Sequence, residues 1–129
     1  MQYMMLVYLD ENSLSEAERE SCYRESIELT QDLTASGHYL AAAPLQPTAT
    51  ATSVQVRDGK RLVTDGPFAE TREQLGGYFL IEASDLDQAI AIAARIPIAR
   101  RGTIEIRPMV ELTGLPAQSE AERLAALAK

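Results

Sequence analysis

Only one cysteine and one histidine occur in the 129 residues. The lone cysteine, Cys22, excludes a disulfide framework within the chain and any multi-cysteine metal site. It agrees with a reducing compartment, so a cytoplasmic location is expected. The lone histidine, His38, has no cysteine or second histidine to join it and makes a poor start for a metal site. No metal and no cofactor are expected. Long apolar runs are also missing. The N-terminal one, residues 4–9, is too short for a signal-peptide core or a membrane span, and no basic residue precedes it. Positive charge is in deficit as well. Twelve Lys and Arg against nineteen Asp and Glu leave a formal charge of −7 at pH 7. Such a surface repels phosphate backbones, so nucleic acid is not an expected partner; with no apolar run long enough to span one, a membrane is not expected either. No repeat is visible, and the nearest approach to low complexity is residues 41–53, rich in Ala, Thr and Pro.

What is present reads as one globular domain. The chain is 46% hydrophobic and 24% charged, an ordinary balance for a folded protein. A domain of this length buries roughly two-thirds of the surface its unfolded chain exposes, enough for one core. Residues 3–9 are apolar and end at the turn formers Asp10, Glu11 and Asn12, which predicts a first strand buried on both faces. Ser15 and Glu18 then form an S-x-x-E capping box that opens a helix. Cys22, Ser26, Leu29 and Leu33 fall on one helical face, with Tyr23, Ile27, Thr30 and Thr34 beside them. Gly37 is placed to end that helix.

Residues 38–43 read as a second strand stopped by Pro44. Residues 52–56 and 60–63 read as a hairpin around the tight-turn pair Asp58-Gly59. Residues 75–81 are the most strand-like segment. Ser84, Asp85 and Asp87 mark a helix start, with Leu86, Ala89, Ile90 and Ala93 as its apolar stripe and Pro97 as its end. Residues 103–106 alternate as a last core strand.

The order predicts an α+β fold with an antiparallel sheet, of the ferredoxin-like split β-α-β kind with an extra hairpin. Helices on one sheet face leave the other to be covered. The expected solution is a homodimer, sheet against sheet, of the dimeric α/β-barrel type. Residues 1–110 would form this domain and residues 111–129 a helical C-terminal extension, with Leu115, Leu124 and Leu127 free to pack on a neighbour.

The string from Asp65-Gly66-Pro67-Phe68 through Glu70-Thr71-Arg72-Glu73 to Gly76-Gly77-Tyr78 is uncommon. Its physics can be read directly. Gly66 before a proline is pushed to extended backbone or to regions that only glycine reaches. Asp65 then has two readings: it caps the turn, the commoner role of Asp there, or its carboxylate faces a pocket as acid or base. Arg72 and Glu73 belong either to a solvated loop with local ion pairs, each worth about 0.2–1 kcal/mol, or to a lid that meets a polar ligand. Gly76-Gly77 within a strand points to a bulge or to close approach of a ligand or second backbone. No phosphate-loop lysine accompanies it.

This string resembles the signature of the DGPF-type YCII-related proteins. The resemblance extends to Tyr3-Met4-Met5-Leu6, Val56-Arg57-Asp58-Gly59-Lys60, Ile96-Pro97 and Glu105-Ile106-Arg107-Pro108. It implies a ferredoxin-like domain in a dimeric α/β barrel and leaves the reaction open. Better-understood relatives hold a His-Asp pair in a cleft between the sheet and the first helix, where it moves protons on small organic molecules. The histidine's position falls at or near Ser26 here, and serine cannot serve as such a base at neutral pH. Asp65 is the position offered for the aspartate, across an intervening hairpin.

Two functions follow. In the first, the protein is a small-molecule-binding or regulatory module, its partner a small organic ligand or a sigma-factor-linked regulator of the kind the resemblance implies. In the second, it is an enzyme of acid–base chemistry, isomerase- or lyase-like, on a small organic substrate. Asp65 would then be its catalytic group, Ser26 and Tyr78 would line the cleft, and Arg72 would orient an anion. His38 and Glu73 complete the candidate ligand-binding set. For His38 the bland alternative is a strand-end residue bonded to backbone or water, and for Tyr78 it is core packing. Cys22 is expected as a quiet buried thiol. Arg95, Arg100, Arg101 and Arg107 are either a basic patch or a solvated ion-pair face.

Overall fold

The computed structural model describes residues 1–116. Six strands and two helices run in the order β1 (Gln2–Leu9), α1 (Glu16–Ala35), β2 (Tyr39–Pro44), β3 (Thr52–Arg57), β4 (Lys60–Asp65), β5 (Gln74–Glu82), α2 (Leu86–Ala93) and β6 (Thr103–Pro108). Short 3-10 turns lie at Glu11–Ser13, Thr48–Thr50 and Pro97–Arg100. Four strands form one antiparallel sheet in the order β2-β5-β1-β6, and β3 pairs only with β4. This is the ferredoxin-like split β-α-β arrangement. The β3–β4 hairpin is inserted between its second and third strands and turns at Asp58-Gly59, both with positive φ.

Local signals account for most element ends. Ser15 and Glu18 make the capping box: the Ser15 backbone N–H donates to Glu18 Oε1 at 3.0 Å, and the Glu18 N–H donates to Ser15 Oγ at 3.1 Å. Asp85 caps α2 by accepting from the Gln88 N–H at 2.8 Å. The α2 stripe is rotated from the expected one. Ala89, Ile92 and Ala93 are buried and Ile96 follows them, whereas Leu86 and Ile90 are each 50% exposed. Positions 89, 92, 93 and 96 hold the i, i+3, i+4, i+7 spacing. The helix also ends at Ala93, before Pro97, which instead opens a buried 3-10 turn.

Both helices pack on the same sheet face. Tyr3, Met5 and Val7 of β1 meet Phe79 and Ile81 of β5, Leu29 and Leu33 of α1, and Ala89, Ile92 and Ala93 of α2. Met5, Leu33, Ile81 and Ile96 are the largest fully buried side chains. Each contributes about 1.5–3 kcal/mol through burial. The expectation that β1 is buried on both faces is corrected. Its burial alternates, with Met4, Leu6 and Tyr8 only half-buried, because among the described residues no helix covers that side. Residues 111–116 hold no helix and Leu115 is exposed, while the rest of the expected helical extension, with Leu124 and Leu127, lies outside the described residues.

Candidate ligand-binding cleft between the first helix and the sheet

A cavity of about 630 Å³ opens between α1 and the β2 side of the sheet. Its floor is Val7 and Leu9 of β1, Ala42 of β2 and Phe79 of β5, and its helix wall is Arg19, Cys22, Tyr23, Ser26, Ile27 and Thr30. These helix positions recur at three- and four-residue steps and therefore share one face. Leu14, Ile96 and Ile98 close the inner end, and Pro44, Leu45, Gln46 and Pro47 form a rim. Its size is that of an ordinary small-molecule site, and the apolar lining suits one.

Gly76 and Gly77 let the cleft exist. The β1–β5 register shifts between Val7 and Tyr8, skipping Gly76, so Gly76 is the extra residue of a bulge. A Cβ there would collide with the Leu9 side chain. At Gly77 a Cβ would meet Ala43 O at 3.0 Å and Pro44 Cα at 3.2 Å. The glycine pair thus serves both a bulge and a close backbone approach, and both residues line the cleft.

Polar groups are few. Glu11 is the lining carboxylate, and both its oxygens are taken: Thr48 donates its backbone N–H at 2.8 Å and its hydroxyl at 2.9 Å. Arg19 donates Nη2 to the Glu11 carbonyl at 3.3 Å. Neither Arg19 nor the Glu11–Thr48 pair was anticipated. Arg19 was findable, since it stands two turns before Ser26 on the same face. The Glu11–Thr48 contact spans 37 positions and has no local signal.

Of the expected site residues, Ser26 lines the cleft from α1, and Cys22 is half-buried in its wall; Tyr78 borders it from β5, with its side chain alternating to the sheet face opposite that of Phe79. Asp65, His38, Arg72 and Glu73 do not line it. Asp65 is exposed at the end of β4, and among the described residues its carboxylate has no hydrogen-bond or ion-pair partner. The turn after it is held by Ser53, whose hydroxyl donates to Gly66 O at 2.7 Å, and by the Gly66 N–H on Ala51 O at 2.8 Å. His38 donates Nδ1–H to Glu82 O at 2.8 Å, a strand-end contact. Arg72 is exposed. Glu73 accepts from the Thr103 hydroxyl at 2.9 Å, and its carbonyl accepts from Thr71. This loop is therefore pinned by hydroxyls rather than by the expected ion pairs. Arg95, Arg100, Arg101 and Arg107 pair with Asp32, Glu25, Glu18 and Glu105, which makes them an ion-pair face.

A second groove of about 600 Å³ shares Leu45, Gln46 and Pro47 with the cleft and takes Pro67, Phe68 and Ala69 from the 65–78 string. Among the described residues no group of three or more His, Cys, Asp or Glu is placed to hold a metal, and no helix is long and apolar enough to cross a membrane.

The model of the YCII-related domain matches residues 1–113. The chain belongs to the YCII-related family. A relative in Rhizobium meliloti (strain 1021), itself an uncharacterised protein, is 35% identical over 114 residues, which cover 84% of this chain and 92% of that one. Among solved structures, this YCII-related chain is similar to the 5-chloro-2-hydroxyhydroquinone dehydrochlorinase TftG from Burkholderia phenoliruptrix AC1100, in complex with 2,5-dihydroxybenzoquinone. The TM-score is 0.52 at 12% identity, covering 85% of this chain and 94% of the other. At that identity the likeness is one of fold.

Proposed function

We propose that this YCII-related protein is a homodimeric binding module for a small, largely apolar organic molecule, held in the cleft between α1 and the sheet. The observation that carries the reading is the cleft itself. It has ligand-sized volume and an apolar lining, with Ser26 on its helix wall and a carboxylate, Glu11, already occupied by Thr48. Such a pocket encloses a molecule without presenting it a free general base. The homodimer would cover the half-buried face of Met4, Leu6 and Tyr8, and regulation through a sigma-factor-linked partner would be one use of the bound state. Cytoplasmic placement and membership of the DGPF branch belong to the same proposal.

The second reading is an acid–base enzyme on a small organic substrate. It draws on the dehydrochlorinase neighbour and on Asp65 as acid or base. Asp65 lines neither cavity, so this reading needs a rearrangement that brings the hairpin end to a substrate.

Cys22 supplies the test, because it is the sole cysteine and sits in the cleft wall. Its alkylation by iodoacetamide is followed by intact mass with and without 1-naphthalenemethanol, a neutral two-ring probe. Binding in the cleft slows the reaction, and Ser26→Trp, which fills the cleft, removes the protection. A Cys22 rate indifferent to saturating probe would contradict the binding reading.

A further inference from the structure

We infer that the cleft selects a ring-sized apolar carboxylate and that Arg19 is the residue that receives its carboxylate group. This rests on the ligand-binding reading of the cleft and names the chemistry of its occupant.

Arg19 is the cationic side chain of the lining. It is half-buried, whereas the other arginines among the described residues are exposed. It also stands outside the ion-pair network that engages Arg95, Arg100, Arg101 and Arg107. Its recorded bond is Nη2 to the Glu11 carbonyl at 3.3 Å. A guanidinium carries five N–H donors, so most of its hydrogen-bonding capacity is unspent on protein. A partly desolvated cation with free donors favours an anionic acceptor, and its planar fork matches a carboxylate in two-point contact.

Among the described residues no neighbouring carboxylate forms an ion pair with Arg19. The Glu11 carboxylate accepts twice from Thr48, and that bond holds the Glu11 carbonyl where Arg19 can use it as an anchor. Glu18 is paired with Arg101 at 2.5 Å. Charges more than about 8 Å away are largely screened at physiological salt. Behind Arg19 the wall is Cys22, Ile27, Leu14 and Phe79, which suits an apolar body and no second charge. The bound molecule would therefore lie with its rings on Phe79 and its carboxylate at the Arg19 end.

The test compares two probes with the same rings, 1-naphthoate and 1-naphthalenemethanol, by calorimetry on the full-length protein, with Cys22 alkylation reporting whether each occupies the cleft. The wild type binds the naphthoate roughly tenfold more tightly than the alcohol, as a charge-assisted hydrogen bond predicts. Arg19→Gln, which keeps a donor for the Glu11 carbonyl, loses that preference and binds the alcohol as before. Arg19→Lys keeps part of it. Equal affinities in the wild type, or an unchanged ratio in Arg19→Gln, overturn the carboxylate assignment and leave the cleft a site for neutral ligands. If neither probe slows Cys22 alkylation, the binding reading fails and the assignment falls with it.

Discussion

The carboxylate of Glu11 is held at both oxygens by Thr48, from the backbone N–H at 2.8 Å and from the hydroxyl at 2.9 Å. This joins the 3-10 turn after β1 to the one after β2 across the cleft rim. Thr48→Val keeps the shape and the N–H bond but removes the hydroxyl, and should cost about 1–2 kcal/mol in urea unfolding. In a double-mutant cycle with Glu11→Ala the two changes should couple by about 1 kcal/mol. Additive effects would mean that the two turns are not joined in solution.

Gly77→Ala should destabilise the fold and narrow the cleft together. The added methyl would sit 3.0 Å from Ala43 O and 3.2 Å from Pro44 Cα. Both neighbours are backbone of β2, fixed by its ladder to β5, and cannot yield as a side-chain end would. The cost should be about 1–3 kcal/mol, the range for overpacking. Displacing β2 moves the cleft rim, so the naphthalene probe should also protect Cys22 less. A variant of wild-type stability would show that β2 gives way easily.

The elements that local chemistry defines were legible in the sequence. Ser15 and Glu18, Asp58-Gly59 and Asp85 act through neighbours within a few residues, and each does what its spacing implies. Gly76-Gly77 was legible as a bulge or close approach because a glycine pair in a strand has few other uses. What failed depended on tertiary placement. The apolar run of β1 gave no sign that one face lacks a cover among the described residues. Helical spacing in α2 fitted two stripes, and only packing chose the one through Ile92. The 65–78 string marked the family, yet its charged members stand away from the cleft. Among the described residues Asp65 caps nothing, and Arg72 is exposed. The polar groups that do face the cleft, Glu11 and Arg19, carry no motif.

Leu6 and Tyr78 are cross-strand partners on the sheet face that neither α1 nor α2 covers. Half-buried side chains at Met4, Leu6 and Tyr8 make that face the candidate dimer surface. Leu6→Glu places a charge at its centre, where pairing with a second copy would desolvate it. Sedimentation equilibrium should show a dimer for the wild type and a monomer for Leu6→Glu, with the far-ultraviolet spectrum unchanged. A monomeric wild type at micromolar concentration would leave the sheet face without a partner copy.

Glu18 ties the start of α1 to acid stability. The Ser15 backbone N–H, then the Ser15 hydroxyl and then Arg101 hold its carboxyl below the usual glutamate range. A carboxylate whose folded value is depressed stabilises the fold above its unfolded value and loses that contribution as pH falls through the folded one. The window therefore lies below the ordinary glutamate value of about 4.3. Replacing Glu18 by Gln should lower stability at neutral pH and flatten the acid limb of the stability curve. Wild type and variant should converge once both protonation steps are complete. Ser15→Ala should return the Glu18 carboxyl toward its ordinary value in a carbon-detected NMR titration, because it removes the hydroxyl while leaving Arg101 in place. The side chain is exposed, so the effect should be small and should shrink with added salt where it comes from Arg101. A wild-type Glu18 that titrates at the ordinary value would mean that the capping box and its arginine are open in solution.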